Sequence, residues 1–154
     1  MSRRLPVLML VLALAAIGLG SGLAQAQAQA QVLPRTARPA EARVYFITPA
    51  KGQVVHGKVL VRFGLSGMGV SPAGVTGPGT EGTGHHHLFV DAPPPAADQV
   101  LPKDEHHLHF GKGQTETTLD LPKGKHSLQL VFGDANHVPH DPPLVSERIE
   151  ITVK

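Results

Sequence analysis

Two His-x-His pairs, His85 with His87 and His107 with His109, flank a short proline-rich excursion in the stretch from Gly84 to Gly111. In an extended chain alternate residues share a face. Each pair therefore presents two imidazoles roughly 6 to 7 Å apart, a spacing that suits joint coordination of one ion. With His86 and His106, six of the ten histidines fall in this window. His137 and His140 lie in a second segment stiffened by Pro139, Pro142 and Pro143, where restricted backbone freedom lowers the entropy lost on fixing a ligand geometry. His85, His87, His107, His109, His137 and His140 are thus the candidate metal ligands. Asp104, Glu105, Asp134 and Asp141 stand beside them as acceptors that set imidazole tautomers, or as further ligands. The chain has no cysteine, and Met68 is the only methionine beyond the N-terminal region. Nitrogen and oxygen donors of this kind favour Cu(II) or Zn(II) over Cu(I).

A competing use of imidazole is as a hydrogen-bonding strut that pins loops. His126 shares a face with Leu128 and Leu130, and His86 with Leu88 and Val90, so both read as satisfied polar groups on apolar faces. His56 carries no signal. The function expected is non-enzymatic metal handling in the periplasm, with a metal ion as partner. The alternative is an envelope binding or structural module whose histidines pin loops or recognise a ligand without metal. A metalloenzyme, in the manner of copper/zinc superoxide dismutase, rests on fold analogy alone; no motif places a nucleophile or carboxylate base against the cluster, so no catalytic residue is assigned.

Short strands must position these residues. Arg43 to Ile47 is rich in strand formers, and Val59, Val61, Phe63 and Leu65 alternate with polar positions. His85 to Asp91 puts His86, Leu88 and Val90 on one side and His85, His87 and Phe89 on the other. His106 to Phe110, Gln114 to Leu121, Lys125 to Phe132 and Glu147 to Val153 continue the pattern, whereas Gly64 to Gly84, with eight glycines and two prolines, reads as a structural or lid-like loop. No window has helical apolar spacing. Six or seven strands in about 110 residues predict an all-β, immunoglobulin-like β-sandwich with Greek-key connections, and a small closed barrel is the competing architecture.

Residues 1–26 have a basic start at Arg3-Arg4, an apolar run from Leu5 to Leu19 and an Ala24-Gln25-Ala26 cleavage pattern, the marks of a secretory signal peptide. Residues 27–42, rich in Ala and Gln, read as a disordered linker, leaving 43–154 as the folded domain. Cleavage removes two of the 14 basic residues and leaves 12 against 12 acidic ones. Without a basic stripe, nucleic acid is an unsuitable partner. The mature protein is expected in the periplasm or medium, off the membrane; no protein partner is specified.

Arg43-Val44-Tyr45-Phe46-Ile47-Thr48-Pro49, Phe63-Gly64-Leu65-Ser66-Gly67-Met68-Gly69-Val70, Gly84-His85-His86-His87-Leu88, Asp104-Glu105-His106-His107-Leu108-His109-Phe110-Gly111 and Gly113-Gln114-Thr115-Glu116 resemble the DUF4399 family of bacterial exported domains. Gly133-Asp134, Asn136-His137, Pro139-His140 and Pro142-Pro143 continue the resemblance, which covers almost the whole mature chain. It implies export but no assigned activity or ligand set. N-terminal sequencing of the mature protein is expected to find cleavage near Ala26; a membrane-bound form that retains Met1 would contradict the signal-peptide reading.

Overall fold

The computed structural model describes residues 34–94 and 96–154. The expected signal peptide, and residues 27–33 of the expected linker, lie outside the described residues. Ten strands follow one another: β1 (Arg43–Thr48), β2 (Val54–Val55), β3 (Val59–Ser66), β4 (Gly69–Val70), β5 (Thr83–Val90), β6 (His107–His109), β7 (Glu116–Leu119), β8 (Gly124–Gly133), β9 (Pro139–Val145) and β10 (Ile149–Val153). The described residues contain no helix, as the missing three-and-four periodicity predicts.

The strands form two sheets, mostly antiparallel. One has the order β1-β3-β7; the other has the order β2-β10-β8-β5-β4, with β6 paired to β5 and β9 to β8. Period-two alternation decides which faces meet. Val44 of β1 and Val59, Val61 and Phe63 of β3 pack with Leu88 and Val90 of β5, Leu128, Leu130 and Phe132 of β8, and Ile149, Ile151 and Val153 of β10 in one apolar cluster between the sheets. The alternate residues of β5 therefore face away from the smaller sheet. There Phe89 joins Val131 and Leu101 in a second, smaller cluster, so all of β5 from Gly84 to Val90 is buried. Leu101 belongs to the excursion between β5 and β6, which supplies the cover that a strand buried on both faces needs.

Two segments differ from the sequence reading. Residues 34–42, assigned by composition to a disordered linker, run against β9. Ala37 bridges Asp141, the Asp141 amide donates to the Thr36 carbonyl at 2.9 Å, Arg38 Nε donates to the Pro142 carbonyl at 2.8 Å, and Arg35 pairs with Asp141 at 3.1 Å. Main-chain pairing and guanidinium contacts hold this strap, and apolar content, the quantity the disorder argument weighs, does not register them. The second departure is β9, a strand where the prolines predicted only a stiff connection. It lies at a sheet edge with an irregular register against Phe132 and Gly133 of β8, the setting in which proline is tolerated within a sheet.

Leu130, wholly buried between the sheets, and Leu60, 40% exposed on the outer face of β3, provide a matched test. Leu130→Ala is expected to lower unfolding free energy by about 2–5 kcal/mol and Leu60→Ala by no more than about 0.5 kcal/mol, read from urea denaturation.

Candidate metal centre

On the covered face of the larger sheet, four imidazoles converge. His85 and His87 project from β5, His109 from β6, where it is the register partner of His87, and His137 from the loop between β8 and β9. All six pairs of ring centroids are close: 4.9 Å for His85–His87, 5.0 Å for His85–His109, 4.9 Å for His85–His137, 5.1 Å for His87–His109, 5.8 Å for His87–His137 and 4.7 Å for His109–His137. Four imidazoles bound tetrahedrally to one ion at a metal–nitrogen distance of ~2.05 Å would have centroids roughly 5.2 Å apart. His85, His109 and His137 each have a ring nitrogen within 4.8 Å of the others'. His87 Nε2 lies 3.0 Å from His85 Nε2, and His137 Nε2 lies 3.1 Å from His109 Nε2.

The base of this group is buried. His85 and His87 are fully buried, and neither Nδ1 has a hydrogen-bond partner. A neutral imidazole has one N–H and one lone pair. When one of these rings donates its Nε2–H to the other, a donor and an acceptor therefore remain unmatched at the two Nδ1 atoms. His109 and His137 are half-buried and form the rim. Burial pushes His87 down to about 2, with its neighbours His85, His109 and His137 adding to the effect. Burial likewise lowers His85 to about 4, assisted by His137 and His109. His109 is lowered by burial and then by His137. These rings are neutral near pH 7, the protonation state that binds metal.

Close approach at two glycines makes room for the rings. A Cβ on Gly111 would stand 2.2 Å from His109 Cε1, and one on Gly133 would stand 2.8 Å from Leu101 Cδ1 and 3.4 Å from His87 Nε2. The His137 backbone has φ 64°, an uncommon conformation for a non-glycine residue. Asp134 enforces it. Its Oδ1 accepts the amides of Asn136 and Val138 at 2.8 and 2.9 Å, its carbonyl accepts the His137 amide at 3.0 Å, and the His137 carbonyl accepts the Leu101 amide at 2.8 Å. Such side-chain-to-own-loop bonding is what lets Asp organise tight turns.

Two of the six candidate ligands lie elsewhere. His107 turns toward Asp104, its Nδ1 2.7 Å from Oδ1, and packs edge-on against Phe89. This bond holds the Asp104 carboxyl below its ordinary range. His140, fully buried, stacks on Phe132 on the inter-sheet side, with Nδ1 3.3 Å from the Thr36 carbonyl. His126 is the strut expected of it, with Nδ1 2.7 Å from Asp91 Oδ2 and Nε2 2.8 Å from the Pro122 carbonyl. His86 sits on the apolar face as predicted, between Phe63 and Phe132, but neither ring nitrogen is paired, so it is not a satisfied group. Sequence reasoning missed Gly111, Gly133 and the loop-capping role of Asp134. The only signal for them was their place within a few residues of histidines: Gly111 two after His109, and Gly133 and Asp134 four and three before His137.

Fold and site together define a small all-β domain with a partly covered cluster of four histidines. The chain belongs to the DUF4399 family, a domain of unknown function, whose pattern it matches over residues 61–154. No curated protein matches it. Among solved structures, the endo-β-1,4-mannanase from Thermotoga petrophila is similar at a TM-score of 0.42 and 17% identity, over 74% of this chain and 20% of that one. This chain thus spans about a fifth of the mannanase's length, and a likeness of that size says nothing about activity.

Acid should destabilise the fold. His85, His86, His87, His109 and His140 all have folded pKa values below 6.5, chiefly through burial, so the unfolded chain binds more protons as pH falls through ~6.5. Their contribution to stability is full above that value and declines below it, by up to ~1.4 kcal/mol per pH unit for each fully buried ring. His126 acts oppositely. Burial lowers its pKa, but the Asp91 and Pro122 hydrogen bonds outweigh burial and leave it raised, so its smaller contribution is lost as pH rises through the raised value. For the metal-free protein, the urea midpoint is expected to be nearly flat from pH 8 to 7 and to fall from pH 6 toward 4, the slope easing near pH 4 as His85 and His86 take up protons in the folded state. A midpoint unchanged down to pH 4 would contradict this.

Proposed function

We propose that this chain is an exported, immunoglobulin-like β-sandwich that binds Cu(II) or Zn(II) through His85, His87, His109 and His137, for non-enzymatic metal handling in the periplasm. The observation that carries this reading is the set of six centroid separations, between 4.7 and 5.8 Å, which brackets the spacing a single tetrahedral ion would impose. The electrostatics support it. Four imidazoles with no thiolate among them suit a borderline divalent ion, and Met68, the one thioether nearby in sequence, packs against the inter-sheet core instead.

The strut reading is disfavoured by a contrast within the molecule. His126 does what a strut does, with both ring nitrogens bonded across a loop. His85 and His87 bond only each other and leave a nitrogen apiece unmatched, so they pin no loop.

Calorimetric titration of the full chain with Zn(II) and Cu(II) at pH 7.5 is expected to give one tight site. His85→Ala or His137→Ala should weaken it by about 100-fold or more, whereas His107→Gln and His140→Gln should leave stoichiometry unchanged. Unaltered binding in His85→Ala and His137→Ala would refute the ligand set.

A further inference from the structure

The strap before β1 reaches the metal centre from outside it. Arg35 bonds the carbonyls of Pro139 and His140, and between Arg35 and Arg38 the main chain of Thr36 is paired to Asp141. The Thr36 hydroxyl is thereby fixed where it donates to Asp134 Oδ2 at 3.1 Å. Asp134 is only 6% exposed, and its other oxygen holds the amides on either side of His137. Leaving a buried carboxylate oxygen without its donor is costly, and turning about its side-chain bonds is the way the group can recover one. Rotation here would release the Asn136 and Val138 amides that keep His137 at positive φ.

We propose that Thr36 is a positioning residue of the metal centre. Through Asp134 it holds His137 where that ring completes the four-imidazole set, so docking of the strap sets the affinity of the site. Thr36 lies outside the matched residues 61–154, which makes this control a property of the segment leading into the domain. The inference rests on the metal reading above and adds a regulator to it.

Zn(II) titration of the full chain and its Thr36→Val and Thr36→Ser variants tests it. Both variants are expected to fold, because Thr36 is exposed. Loss of a partner that orients a ligand commonly costs 10- to 100-fold in metal affinity, so Thr36→Val should bind about tenfold or more weakly, while Thr36→Ser, which keeps the hydroxyl, should bind within about twofold of the parent. In a His137→Ala background Thr36→Val should cost nothing further, which a general loss of stability would not reproduce. Binding equal to the parent's in Thr36→Val, or the same loss with and without His137, overturns the inference alone. A parent chain that binds no Zn(II) overturns the metal reading and the inference with it.

Discussion

The constraint on which this molecule turns is the burial of imidazoles without partners. At the base of the cluster, His85 and His87 are removed from water yet have only each other to bond. Buried polar groups are nearly always hydrogen-bonded, so each exception calls for a physical explanation. Burial also keeps His85 and His87 neutral, since charging them would require proton uptake in a buried site shared with His109 and His137. A buried pair with only each other to bond is poorly matched to itself. The proposed function joins to this the spacings of all four rings, which bracket those one divalent ion would impose.

The rest of the fold supports the cluster. The inter-sheet core is built from aliphatic and aromatic residues of β1, β3, β5, β8 and β10, so the sheet that carries β5 can form independently of the outer-face histidines. The second apolar cluster of Phe89, Leu101 and Val131 covers the face beside the rings. Gly111 and Gly133 leave space where side chains would collide with His109 and Leu101. The one ring of the cluster not on a strand, His137, is fixed by Asp134 instead, and the strap before β1 closes the arrangement from the far side of that carboxylate.

Much of this was legible in the residues themselves. Alternation in Val59 to Leu65 and Lys125 to Phe132 located two strands and their inner faces, and the His-x-His spacing correctly divided His85 and His87 from His86. What sequence could not supply was lateral placement. That His109 lies opposite His87 depends on β5–β6 register, set by an excursion whose length alone carries no such information. His107 had the right face but a nearer acceptor in Asp104, a competition decided by local turn geometry. The proline content of Pro139 to Pro143 concealed β9, and with it the fact that His137 and His140 end on opposite sides of the sheet. The strap from Arg35 to Ala42 was hidden for a related reason, because carbonyl-guanidinium bonding leaves no hydropathy signal.

X-ray absorption at the zinc edge of the chain loaded with one equivalent of Zn(II) is the most direct measure of the central claim, since it reports the donor atoms around the ion. The account predicts a shell of nitrogen at about 2.0–2.1 Å with the outer-ring scattering of three to four imidazoles. An oxygen-dominated shell with one imidazole or none would contradict it.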